Sequence, residues 1–166
     1  MSAGKVLVLM GSGSDWPVMK KCTEVLERLA ISHDVHVASA HRTPQRVVEL
    51  VEGASAAGCR VIVAGAGMAA HLAGVVAAHT TLPVLGVPLA SGALQGVDAL
   101  LSVSQMPPGI PVACLGIGSA GASNAGLLAA AILALDDEQL AQRLRQERRL
   151  QAQKVEQSDA ELQQRR

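Results

Sequence analysis

Lys5-Val-Leu-Val-Leu-Met10-Gly11-Ser12-Gly13-Ser14-Asp15-Trp16-Pro17 is the stretch that decides the fold. After its lysine the run to Met10 is apolar throughout, as in a strand buried on both faces. Gly11 to Asp15 then interrupts it with small and polar residues. Asp15-Trp16-Pro17 starts a helix, with Ser14 or Asp15 available as its cap and Pro17 inside its first turn. Trp16, Met19, Cys22, Val25, Leu26 and Leu29 follow at three- and four-residue spacing and form that helix's core face. A strand, a glycine-serine turn and a helix in this order offer free backbone N–H groups to an oxyanion.

The same alternation continues along the chain. A second strand is expected over about Asp34 to Ala38, followed by Ser39-Ala40-His41-Arg42-Thr43-Pro44. Pro44 opens a second helix that runs to about Ala57 and stops at Gly58. Arg60 to Ala64 reads as a third strand opening into Gly65-Ala66-Gly67-Met68-Ala69-Ala70-His71. A helix from about His71 to His79 comes next, then a short strand from Pro83 to Pro88. After Gly96 a helix carries Val97, Leu100, Leu101 and Val103 and ends near Pro107. Pro111 to Ile117 is a fifth strand, Gly118 to Asn124 a glycine-rich loop, and Ala125 to Leu135 a helix. Nearly continuous apolar strands with crossover-length connections predict a parallel sheet covered by helices on both faces, a three-layer α/β fold. The polar loops after strands one, two, three and five then share one sheet edge, where open α/β sheets place their ligands.

From Asp136 the character changes. Asp136, Asp137 and Glu138 favour a helix start, and Leu140 to about Val155 spreads Leu140, Leu144 and Leu150 among Gln and Arg. That apolar stripe is too narrow for a domain core and has to lie across its own subunit or a neighbour. One catalytic domain is expected over 1–155, with 156–166 as a frayed tail.

Composition removes several function classes. Lys plus Arg and Asp plus Glu each number 14, so no net charge steers the chain to nucleic acid or an anionic membrane. No apolar run is long enough for a membrane span and no signal-type segment stands out, so a soluble cytoplasmic protein is expected. Cys22, Cys59 and Cys114 are far apart in apolar patterns and read as free thiols. Trp16 is the sole residue among Phe, Tyr and Trp. The core therefore has to be aliphatic, and stacking platforms for bases or flavins have almost nothing to be built from.

Gly11-Ser12-Gly13 begins like a dinucleotide loop, but Trp16 occupies the third glycine position and no acid ends strand two to take a ribose diol. The ending of a triphosphate-binding loop is missing too. What remains is the hydroxyls of Ser12, Ser14 and Ser39, the Asp15 carboxylate, the Arg42 guanidinium, His41, His71 and much glycine backbone. That set suits a small phosphorylated sugar derivative. Arg42 and the serines would meet phosphate, Asp15 would accept from ribose hydroxyls, and His41 can exchange a proton near neutral pH. Plainer roles compete: Asp15 as a helix cap, His41 and Arg42 as solvent-facing or capping groups, His71 as a helix-start residue. His33, His36 and His79 lie away from the loop edge and read as structural. His33 and His36 project to opposite strand faces and make no metal pair. No cofactor and no metal is expected.

Gly11-Ser-Gly-Ser-Asp15, Ser39-Ala-His-Arg-Thr-Pro44, Gly65-Ala-Gly-Met-Ala-Ala-His-Leu-Ala-Gly74, Leu85-Gly-Val-Pro88, Ser104-Gln-Met-Pro107 and Ala120-Gly-Ala-Ser-Asn-Ala125 occur in unbroken order. Together they resemble the N5-carboxyaminoimidazole ribonucleotide mutase family of purine biosynthesis, the bacterial PurE proteins, over roughly Val6 to Leu135. The resemblance implies a flavodoxin-like fold assembled as a homo-octamer, with active sites where subunits meet and the late helix helping to hold them. It implies His41 as the proton-transfer group, with His71 lining the same pocket. It puts Ser12, Ser14 and Asp15 around ribose and phosphate, and Ser39 and Arg42 on the phosphate side. Ala40, Gly65, Ala66, Gly67 and Met68 line the substrate, with Gly118 to Gly121 as a further wall. Met68 stands where the family usually has glycine and Ala73 where it has proline. The first would narrow the pocket or change its wall, and the second would cost rigidity at a helix start.

The implied reaction moves a carboxyl group from the exocyclic N5 to imidazole C4 through released CO2, with one histidine as acid and then base. Two alternatives stay open. One is direct carboxylation of aminoimidazole ribonucleotide by CO2, the animal-type activity, against which the arginine in Ser39-Ala-His-Arg42 and the Gly65-Ala-Gly67 segment resemble the mutase branch. The other is a non-catalytic nucleotide-binding assembly module.

Overall fold

The structure is a computed structural model that describes residues 4–165. Its elements are β1 (Lys5–Met10), α1 (Trp16–Arg28), β2 (His33–Val37), α2 (Pro44–Ala54), β3 (Cys59–Gly67), α3 (Leu72–Ala78), β4 (Val84–Leu89), α4 (Val97–Ser104), β5 (Ala113–Cys114), α5 (Gly118–Leu133) and α6 (Glu138–Gln164). The strands form one parallel sheet in the order β2-β1-β3-β4-β5. Side chains alternate across a strand, so β1 feeds two cores. Val6, Val8 and Met10 meet Met19, Cys22 and Leu26 of α1 and the alanines of α5. Leu7 and Leu9 belong to a second core shared with Val47 and Val51 of α2, Leu72 and Val76 of α3, and Val103 of α4. The result is a flavodoxin-like three-layer fold, as expected. Strand order reverses between β1 and β3, and the loops leaving these strands open onto the crevice where such sheets bind ligands.

Two glycine-rich segments expected as loops are regular structure. Gly65 and Gly67 pair with Val87 and Leu89 of β4, so β3 runs through them. A Cβ at Gly65 would collide with the Met19 thioether, and one at Gly67 with the Ser91 hydroxyl. Glycine inside a strand marks such close approach rather than a break. Likewise Gly118 to Asn124 forms the first turns of α5, not a loop. Small residues there let helices touch: a Cβ on Gly126 would stand 2.9 Å from the Cys22 carbonyl oxygen of α1.

Several boundaries also move. β5 shrinks to Ala113–Cys114 because Pro111 has no N–H for the ladder, although Leu115 still donates to the Gly86 carbonyl at 2.9 Å. α2 ends at Ala54, three residues short of the expected Ala57, and turns lead to Gly58, which takes a left-handed φ of 84°. Trp16 is exposed, since at the first position of α1 it precedes the face that Met19 and Cys22 bury. Val97 and Leu101 are exposed as well, while Ala99 and Val103 carry the inward face of α4.

α6 begins where the acidic run predicts it, with the Asp137 carboxylate accepting from the Leu140 N–H at 2.9 Å. Leu140 is fully buried, and Arg143 Nε donates to the Leu29 carbonyl at 3.0 Å. An Arg28–Glu147 ion pair at 2.9 Å adds a second tie. The helix thus starts across its own subunit. It continues to Gln164 rather than stopping near Val155, with every described residue after Glu147 exposed. Residues 1–3 and 166, which belong to the expected domain and tail, lie outside the described residues.

Cys22 and Cys59 are buried and Cys114 half-buried, all as free thiols. Burial pushes the Cys22 thiol up to about 12. No helix among the described residues is long and apolar enough to cross a membrane.

Candidate active site

Loops from the carboxyl ends of β1, β2, β3 and β4 close around a cavity of about 570 Å³. The β1 loop tightens at once into a single 3-10 turn, Gly13–Asp15. Neither Ser14 nor Asp15 caps with its side chain the helix that follows. The 3-10 turn itself is capped by Ser12, which accepts from the Ser14 N–H at 3.3 Å, while its own N–H donates to Asp15 Oδ2 at 3.0 Å. This reciprocal capping box fixes the Asp15 carboxylate beside the cavity. Ser14 Oγ donates to Ser12 Oγ at 2.8 Å, which brings the two hydroxyls together.

The β2 loop is a second self-bonded turn. Ser39 N–H donates to Thr43 Oγ1 at 2.9 Å, and Arg42 N–H donates to Ser39 Oγ at 3.2 Å. Arg42 Nη2 reaches across to the Gly11 carbonyl at 3.0 Å, linking the first two loops through one guanidinium. The fork has further N–H donors with which to meet an anion.

The β3 loop is strained. Met68 and Ala70 take left-handed φ values of 56° and 44°, a region that side chains disfavour. The surroundings hold it: Ala70 N–H donates to the Gly67 carbonyl at 3.0 Å, and Ser102 Oγ donates to the Ala69 carbonyl. Strain held in this way clusters at functional loops. Met68 is 63% exposed, so its thioether stands at the cavity mouth instead of filling the interior. Ala73 is buried in the first turn of α3, a position a proline would also fit. The loop ends on His71, whose Nδ1 lies 2.6 Å from His41 Nε2, with the rings edge to face at 81°. One of these nitrogens has to donate and the other accept, so the two rings share a proton along a fixed line. Both histidines are exposed in the single chain.

Ser12, Ser14, Asp15, Ser39, Ala40, His41, Arg42, Ala66, Gly67, Met68 and His71 line this one cavity. Gly65 does not: it sits deeper in β3, under Met19. Gly118 to Gly121 are absent from the lining because they belong to α5. Ser91, on the loop after β4, lines the cavity and was not anticipated. The loop after strand four carries a serine between small residues, and sheet-edge logic applied to every strand would have singled it out. His33 contacts the Ile31 carbonyl at 3.0 Å and His79 lies 3.8 Å from Glu52, both away from the cavity.

Asp15 makes a measurable prediction. Burial raises its carboxyl above the ordinary value, against smaller opposing pulls from the Ser12 N–H and from Arg42. A folded-state value above the unfolded one means that stability falls as pH rises through the carboxylate range. Asp15→Asn keeps an acceptor for Ser12 without the charge. Its thermal midpoint should therefore exceed the unchanged chain's at pH 7 and converge on it near pH 3. A gap that stays constant between those pH values would remove the burial penalty.

Together the fold and the site define a small α/β class: a switch-point crevice that brings together an arginine, a carboxylate and a contacting pair of histidines. The chain belongs to the AIR carboxylase family, whose profile matches residues 5–154. It is 57% identical over 150 residues to a Brucella melitensis protein named N5-carboxyaminoimidazole ribonucleotide mutase, covering 90% of this chain and 93% of that one. An Escherichia coli K12 protein of the same name is 54% identical over 151 residues, with 91% and 89% covered. The crystal structure of Treponema denticola PurE superposes with a TM-score of 0.86 at 30% identity, covering 95% of this chain and 98% of that one.

Proposed function

We propose that this protein is a mutase that moves the carboxyl group of N5-carboxyaminoimidazole ribonucleotide from N5 to C4, a step of purine biosynthesis, with His41 as the acid and base. The observation that carries the reading is the 2.6 Å His41–His71 contact at the edge shared by Asp15 and Arg42. Arg42 and the Ser12, Ser14 and Ser39 hydroxyls receive the phosphate, and Asp15 accepts from the ribose hydroxyls. Gly67, Ala66, Ala40 and the Met68 backbone form walls close enough for a flat imidazole.

The chemistry follows from that arrangement. His41 protonates N5, the N5–carboxyl bond breaks with its electron pair staying on nitrogen, and CO2 is released beside C4. The C4–C5 π pair then attacks CO2 at close range, an advantage worth several kcal/mol, about 7 to 11 in the best-oriented cases. The resulting tetrahedral C4 returns its proton to His41 and the ring recovers aromaticity. His71 holds the His41 ring in line and exchanges a proton with it. The step is redox-neutral and consumes no ATP.

A reaction that holds CO2 needs a site closed to water, and in a single chain His41 and His71 are open. A homo-octamer with active sites at subunit contacts supplies the missing cover. Exposed Leu94, Val97 and Leu101, and an apolar groove between α5 and α6 lined by Leu127, Leu135, Leu144 and Val155, are surfaces such an assembly would bury. Residues 1–155 would act as the catalytic and assembly unit, with the end of α6 dispensable. Its place is the cytoplasm, where three free thiols stay reduced.

Substrate labelled with carbon-13 at the carbamate and run in excess unlabelled bicarbonate tests this reading. Product sampled early should keep most of its label, after correction for spontaneous breakdown. Product carrying only the bulk isotope from the first turnover would replace the mutase by a direct carboxylase, and no product above the enzyme-free rate would leave a binding module.

A further inference from the structure

The Ser91 hydroxyl is out of place for a satisfied structure. It lies in the wall of the cavity, buried from solvent, and hydrogen-bonds to none of the described residues. Leaving such a group unpaired is costly, since its hydration is lost with no bond gained in return. Three features show that its position is set by the fold. Gly67 has no side chain at the point where Ser91 Oγ lies, and any Cβ there would collide with it. The loop that carries Ser91 turns through left-handed backbone at Gly92, Gln95 and Gly96, with φ of 62°, 50° and 89°. Gln95 Nε2 pins that loop by donating to the Gly92 carbonyl at 2.9 Å.

The polar groups of the site divide by chemistry, and one part of the substrate is left without a partner. Arg42 and the serines of the β1 and β2 loops take the phosphate, Asp15 the ribose, and the histidines the proton. The migrating carboxyl group has no donor among them. We infer that Ser91 binds the migrating carboxyl group of the substrate, its O–H donating to one carboxyl oxygen from the β4 side of the crevice. The inference rests on the mutase reading above and adds a residue to it.

A neutral hydroxyl suits this group better than a cation would. The carboxyl starts as an anionic carbamate, passes through uncharged CO2 and ends as an anionic carboxylate. A cationic donor would hold the first state far more tightly than the second and raise the barrier to bond cleavage. Interactions accelerate the chemical step only where they are stronger in the transition state than in the ground state, and those stronger in the ground state slow it. A hydroxyl loses less when charge leaves the carboxyl, and it can turn about Cα–Cβ between staggered positions to follow the group from N5 to C4. The covalent steps are unchanged: Ser91 forms and breaks hydrogen bonds only.

Ser91→Ala tests the assignment with three measurements on the full chain. Its thermal midpoint should equal or exceed that of the unchanged protein, because the lost hydroxyl has no protein partner. Binding of aminoimidazole ribonucleotide, which lacks the carboxyl, should stay within twofold by calorimetric titration. Saturated turnover of the N5-carboxylated substrate should fall tenfold or more, with more aminoimidazole ribonucleotide released per product formed. Ser91→Thr, which restores the hydroxyl, should recover part of both losses. Unchanged turnover in Ser91→Ala, weakening of aminoimidazole ribonucleotide binding in step with turnover, or a midpoint several degrees lower would each overturn the inference. If the unchanged protein itself fails to convert the N5-carboxylated substrate, the mutase reading falls first, and a silent Ser91→Ala in an active enzyme sinks this inference alone.

Discussion

His41→Asn is expected to fold like the unchanged chain and to turn over the N5-carboxylated substrate at least about a hundredfold more slowly, the usual scale for a lost acid–base group. His41 is exposed and belongs to neither core, so its loss removes no apolar packing. Its backbone lies in a turn whose hydrogen bonds run between Ser39, Arg42 and Thr43, and the substitution leaves those in place. Asparagine can still offer an amide toward His71 Nδ1, yet it cannot exchange a proton in the working pH range. KM for the substrate should move little, because the phosphate and ribose contacts proposed above are made by other side chains, Arg42, the serines and Asp15. Steady-state assays at saturation, with light scattering to check assembly, decide it. Turnover within a few-fold of the unchanged enzyme would transfer the proton-moving role elsewhere, with His71 the next group to replace.

Strand-helix alternation was readable because buried parallel strands leave continuous apolar runs, and Lys5–Met10 appears in the structure with the expected bounds. The edge that carries the site was readable for the same reason, since loop chemistry and sheet polarity are both written in order along the chain. Sequence reading failed where glycine did two jobs. In Gly65-Ala66-Gly67 and in Gly118 to Gly121 the same residue that usually breaks structure instead lets a neighbour approach, and local composition does not distinguish the two uses. Met19, Ser91 and the Gly116 carbonyl are the neighbours concerned, and all are distant in sequence or across a turn. Sheet-edge logic points to the loop that carries Ser91, but that its hydroxyl has no partner becomes visible only when every nearby donor and acceptor is placed. The His41–His71 contact spans thirty positions and is likewise a product of the fold.

The largest expected loss of stability follows from one of these close approaches. Gly121 lies in the first turns of α5, directly against the carbonyl of Gly116, and a Cβ on it would overlap that oxygen far inside van der Waals contact. The obstacle is backbone on both sides. No flexible side chain can swing away, so α5 has to lift or the Gly116 turn has to rebuild. α5 carries Ala122, Ala125, Ala129 and Ala130 into the core against α1 and the sheet, and lifting it opens that packing. Overpacking of this kind costs about 1 to 3 kcal/mol in a yielding core and more where backbone has to move. Gly121→Ala should therefore lose at least about 3 kcal/mol, or fail to yield folded protein. Gly53→Ala supplies the control. Gly53 sits inside α2, and a Cβ placed on it would meet nothing within 4 Å, so alanine there gains helix propensity alone. It should add about 0.5 to 1 kcal/mol. Urea unfolding of the three proteins at one fixed concentration reads both shifts together. A Gly121→Ala midpoint close to the unchanged chain's would mean that α5 does not rest on the Gly116 carbonyl, while parallel losses at both positions would point to glycine content, not close approach, as the cause.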